Sequence, residues 1–144
     1  MAVSDKVEKQ AVFEGDIKKW MELEDVTIAQ CDKILSATDN RLVEIIVDSI
    51  KSDSEKHKVV LGFIIEALNG TITLEPDELG ELSALLDEHL EIEKGSIDMA
   101  MREYENSRHF VIRHLLSYLL ADEKKHYKLL GQLKDFQRHL YPYA

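Results

Sequence analysis

Along the first quarter of the chain, apolar residues recur at alternating steps of three and four: Ile17, Met21, Ile28, Cys31 and Leu35. That period marks one face of an amphipathic helix, predicted over roughly 4–35. Glu24 fills the gap in this seam between Met21 and Ile28. The run S-A-T-D-N at 36–40 reads as a turn with several candidate N-caps. A second helix is predicted over 40–68, with an inward stripe of Val43, Ile46, Ile50, His57, Val60, Leu61 and Ile64. Asn69-Gly70 ends it. Pro76 then suits the first turn of a third helix over 76–105, and Asp77 and Glu78 suit the positive end of its dipole. Its seam is Leu86, Leu90, Ile97, Ala100 and Tyr104, with Glu93 inside it. After Asn106-Ser107 a fourth helix is predicted over 108–139, burying Ile112, Leu115, Leu119, Leu129, Leu130 and Leu133. His126 shares that stripe and Glu123 lies at its border.

The pattern repeats. A shift of 69 positions carries the first seam onto the third and superposes Glu24 on Glu93 and His57 on His126. It also matches Glu22 with Glu91, Ile28 with Ile97, Asp53 with Asp122, Lys56 with Lys125, Leu61 with Leu130 and Gly62 with Gly131. These are 8 identities over 46 gapless positions, and most are unusual residues for a helix seam, so two copies of one helical hairpin are indicated. The expected fold is an all-α antiparallel four-helix bundle, one domain spanning 1–144. Six Gly and two Pro in 144 residues are few breakers, which favours long helices over short strands.

The formal charge of −10 disfavours nucleic-acid binding, which needs a basic face. A single Cys excludes an intrachain disulfide framework and any multi-cysteine zinc or iron–sulfur site. A reducing, cytoplasmic setting is expected. The segment MAVSDKVEKQ has no apolar signal core, and no stretch approaches ~18 uninterrupted apolar residues, so neither secretion nor a membrane span is expected.

The chemistry-bearing residues lie on the seams. A carboxylate there loses solvation and needs a cation, a proton or hydrogen-bond donors. Glu24 and Glu93 therefore read as metal ligands or as members of a metal-free buried polar network. His57 and His126 read as ligands, since neutral imidazole binds iron, zinc or manganese, or as satisfied core histidines. Glu123 and His126 form E-K-K-H, whose separation of three residues puts both on one helix face. Asp53 and Asp122 each precede a His by four residues. Each could hold an imidazole from behind or pair with Lys56 or Lys125, and Asp53 could ligate directly. His89, His109, His114 and His139 read as surface or boundary residues, and Cys31 as a small core residue.

With these residues in place, the chain resembles the ferritin-like superfamily, nearest to rubrerythrin-type domains. D-E-K-K-H at 122–126 looks like that family's EExxH motif on its fourth helix, and D-S-E-K-H at 53–57 like the matching motif on its second. The resemblance spans about 16–138. It implies a di-iron or similar dinuclear centre held by Glu24, His57, Glu93, Glu123 and His126. Two departures stand out. Ser54 occupies the place of the second-helix glutamate, which leaves three alternatives: Asp53 replaces it, the site holds a single ion, or metal binding is lost. Met21 and Leu90 stand where members often carry a glutamate one turn earlier. The cysteine pairs of a rubredoxin-like module are missing.

Three functions compete: a non-haem oxidoreductase acting on iron or peroxide, a metal-binding or storage protein, and a metal-free interaction module. Iron is the expected cofactor, with zinc, manganese or none as alternatives. The short connection at 69–75 favours an up-down-up-down bundle, with a hairpin-swapped homodimer as the alternative.

Overall fold

The computed structural model describes residues 2–70 and 76–140. Four helices make up the described chain: α1 (Ala2–Ala37), α2 (Arg41–Asn69), α3 (Pro76–Asn106) and α4 (Phe110–Leu140). The all-α reading, the four elements and the hairpin pairing agree with expectation, as α1 packs on α2 and α3 on α4. The chain divides into two compact units, Met1–Ile72 and Thr73–Ala144, each a helical hairpin. The connection on which the topology expectation turns lies, over 71–75, outside the described residues.

Each turn is closed by a different device. Asn40 caps α2: its side chain accepts from Leu42 N (3.0 Å) and Val43 N (3.3 Å), satisfying two of the helix's free donors. Between α3 and α4 the work falls to Arg113. Its Nη1 donates to the Tyr104 carbonyl (2.8 Å) and the Ser107 carbonyl (2.9 Å), while its guanidinium lies 4.2 Å from the Tyr104 ring centroid.

Inside each hairpin the inward positions step by seven. Ile17, Glu24 and Cys31 are buried on α1, and Val47, Ser54 and Leu61 on α2. In the second hairpin Glu93 and Ala100 are buried, while Leu86, Leu116, Glu123 and Leu130 are half-buried. Every one of these is its first-hairpin counterpart plus 69, so the two hairpins share one register. A period of seven on two antiparallel helices is the spacing of coiled-coil packing. Cross-hairpin contacts fix that register from outside the seam. In the first hairpin Gln10 Nε2 donates to the Leu68 carbonyl (3.1 Å), and Lys51 and Lys58 pair with Asp32 (2.7 Å) and Asp25 (2.5 Å). In the second, Lys134 pairs with Asp87.

The seams expected on α1 and α3 are the observed ones. Those expected on α2 and α4 need correction. Ile50, Val60, Ile112, Leu119, Leu129 and Leu133 are exposed, and the faces turned to the partner helix carry Val47, Ser54 and Leu61, or Leu116, Glu123 and Leu130. Both α2 and α4 are apolar over more than the width that packs on the partner helix of the same hairpin. Glu123 therefore lies on the packed seam rather than at its border.

Candidate metal centre

The predicted site residues come together in two groups, one in each hairpin, at the middle of the three buried layers. In the first hairpin Glu24 is enclosed by hydrogen-bond donors. The Trp20 indole N–H donates to Glu24 Oε1 (3.1 Å), and His57 Nδ1 lies 3.3 Å from the same oxygen. Ser54, only 4% exposed, donates its hydroxyl to the carboxylate. That bond, aided by Trp20 and His57, holds Glu24 below the ordinary carboxylate pKa, against the opposing effect of burial. Ser54 is thus a donor to Glu24.

The second hairpin places a carboxyl, Glu123, where the first has the Ser54 hydroxyl, and an imidazole, His89, where the first has the Trp20 indole. Glu93 is 7% exposed. Its Oε1 lies 3.1 Å from His89 Nε2 and 3.7 Å from His126 Nδ1. Its Oε2 is buried and accepts no hydrogen bond, the one such side-chain atom among the described residues. Glu123 stands against it, carboxylate to carboxylate. Their contact lowers the pKa of Glu93 and raises that of Glu123, with burial adding to the rise at Glu123 and the two imidazoles to the fall at Glu93. Of the two carboxyls Glu123 is thus the weaker acid and Glu93 the stronger. Glu93, Glu123 and His126 each offer one ligand atom, all within 4.8 Å of one another. They form the only group of three or more such ligands among the described residues.

Asp53, expected as a further ligand, is half-buried and joins no such group; its neighbour Ser54 is the residue that meets Glu24. Asp122 pairs with Lys125 at 3.8 Å, the ion-pair alternative among its expected roles. Cys31 is a buried free thiol one heptad from Glu24. Two residues were missed by sequence reasoning. Trp20 and His89 occupy equivalent positions one turn before Glu24 and Glu93, and both reach Oε1. The 69-residue shift pairs them but shows no identity there, so a search for repeated residues passes over them. The spacing H-x-x-x-E at 89–93 was the available signal.

No helix among the described residues is long and apolar enough to cross a membrane. No family model, curated protein or solved structure matches this chain.

Proposed function

We propose that this chain is a non-haem metal-binding helical protein of rubrerythrin-like type, and that its α3–α4 hairpin holds an ion through Glu93, Glu123 and His126. The observation that carries this reading is Glu93 Oε2, buried without a hydrogen bond beside a second carboxylate. A buried carboxylate without compensation is costly, and two in contact do not both ionise without a cation or a proton. A divalent ion meets both demands. Oxygen and imidazole donors without thiolate suit iron, manganese or zinc. Iron is the metal the resemblance implies, and when bound it would supply electron transfer with O₂ or peroxide.

The residues themselves bind, orient and move a proton. Glu93 is fixed by packing on the seam and presents its carboxylate inward. Glu123 gives up its proton as the site loads, so binding weakens as pH falls. His126 has a side chain 46% exposed, and with Glu93, Leu129 and Leu130 it lines an open recess through which an ion can enter.

A metal-free role is favoured for the first hairpin by a separate observation. Glu24 already has three donors, from Trp20, Ser54 and His57. It is a satisfied buried polar group of the kind that fixes the register of a helical pair.

Metal analysis of untagged full-length protein, followed by loading with Fe(II), tests the reading. The expected result is iron, manganese or zinc retained by wild type and lost in Glu93→Gln. Wild-type protein that takes up none of the three would overturn it. Iron oxidation or peroxide consumption above that of free Fe(II) would assign redox turnover, and its absence would assign binding or storage.

A further inference from the structure

The two hairpins carry one scaffold with two exchanges at the central layer. Trp20 is replaced by His89 and Ser54 by Glu123, each pair 69 residues apart. Both exchanges run in the same direction. An indole N–H can only donate a hydrogen bond, and a serine hydroxyl donates one to Glu24; imidazole and carboxylate carry the lone pairs that bind cations. The geometry around the shared carboxylate is conserved between the hairpins, since Trp20 Nε1 and His89 Nε2 each lie 3.1 Å from Oε1.

Two imidazoles thus converge on one oxygen of Glu93, at 3.1 Å and 3.7 Å. Donors about 2.0–2.2 Å from one ion stand about 2.8–3.6 Å apart, between octahedral and tetrahedral angles. The observed separations approach that edge length, and His89 lines the same recess as Glu93 and His126. His89 lies outside the group of mutually close ligand atoms formed by Glu93, Glu123 and His126, but its side chain is 53% exposed, so it can rotate onto an ion without repacking the seam. The second oxygen of Glu93, buried and without a donor, is the independent sign that this cluster is incomplete as it stands.

We propose that His89 is a metal ligand, and that His89, Glu93, Glu123 and His126 together form a mononuclear site for a first-row divalent transition metal, complete within the α3–α4 hairpin. H-x-x-x-E on α3 and E-x-x-H on α4 supply two ligand pairs at helical spacing. Two nitrogens among four donors select iron, manganese, cobalt or zinc over calcium and magnesium, which take oxygen ligands. This proposal rests on the metal-binding reading above and assigns to that site a ligand the family resemblance does not supply.

The test uses metal-stripped full-length protein titrated with Co(II), whose visible absorption reports its donor set, and X-ray absorption of the Zn(II) form, which counts imidazoles. Wild type is compared with His89→Ala and with His89→Trp, which imports the first hairpin's residue; Glu93→Gln is the reference for loss of the site. Both His89 variants keep a half-exposed helical position, and circular dichroism verifies their helicity. The expected result is two imidazoles per metal in wild type and one in His89→Ala, with an altered Co(II) spectrum and affinity weakened by at least about tenfold. An unchanged spectrum and imidazole count in His89→Ala, with wild-type binding still abolished by Glu93→Gln, would overturn the role of His89 alone. Wild-type protein that binds neither Co(II) nor Zn(II) would overturn this proposal together with the reading it rests on.

Discussion

The first and second hairpins bury an equivalent carboxylate at the same layer and surround it with different chemistry. Glu24 receives hydrogen bonds from Trp20 and Ser54, with His57 alongside. Glu93 faces another carboxylate and two imidazoles, and one of its oxygens receives nothing. Backbone register, helix pairing and the heptad spacing of the seam do not distinguish them. What separates a closed polar network from a candidate ion site is the identity of two side chains that touch the carboxylate. A buried charge is stable when its surroundings complete it. The first hairpin completes Glu24 from within, whereas the second calls for a proton or a cation from outside.

The largest expected effect is on binding. Glu93→Gln removes the central ligand and should weaken metal binding by about a hundredfold or more, while Glu24→Gln should leave it within about twofold of wild type; calorimetric titration of both variants checks this. Next comes transplantation. Trp20→His combined with Ser54→Glu gives the first hairpin the second's ligands and should raise metal stoichiometry from one equivalent to two. Ser54→Glu alone should fall short, because Trp20 still occupies Oε1. A double variant that folds and stays at wild-type stoichiometry would break the comparison.

Stability should move the other way from binding. In metal-free protein Glu123→Gln replaces a second acceptor with an amide donor to Glu93. Thermal unfolding should show a gain of about 1–3 kcal/mol near neutral pH, the scale of a relieved unsatisfied buried group, while metal affinity falls. The pH dependence has opposite signs in the two hairpins. Glu24 has a pKa lowered from 4.5, so its contribution is present above about that pH and is lost as pH falls through the lower folded value. Glu123 has a pKa raised from 4.5, so its contribution is full below about that pH and is lost as pH rises through the higher folded value. Unfolding of metal-free wild type and Glu123→Gln across the acid range should show the alkaline-side loss only in wild type. The smallest effect belongs to the exposed register pairs: Lys58→Met, which breaks the pair with Asp25, should cost at most about 1 kcal/mol.

Much of this contrast was legible in the chain itself. Single-stripe helices read correctly: the seams of α1 and α3, with Glu24 and Glu93 inside them, are the observed ones. On α2 and α4 consecutive apolar residues such as Ile45, Ile46 and Val47, or Leu115, Leu116, Leu119 and Leu120, cover more than one face. Periodicity does not choose among them, and the choice falls to the neighbouring helix. The sequence points to Asp53 because carboxylates bind metal; a buried serine beside a carboxylate, as at Ser54, is the less costly solution, since it adds no second charge to desolvate. His89 escaped because repeated identities draw the eye to what the hairpins share, whereas the chemistry lies where they differ.

Metal titration of stripped full-length protein, read in parallel on wild type, Glu24→Gln and Glu93→Gln, tests the central claim most directly. The account predicts one equivalent of Co(II) or Zn(II) bound by wild type and by Glu24→Gln, and none by Glu93→Gln. Binding that disappears with Glu24 and survives without Glu93, or no binding by wild type at all, would contradict it.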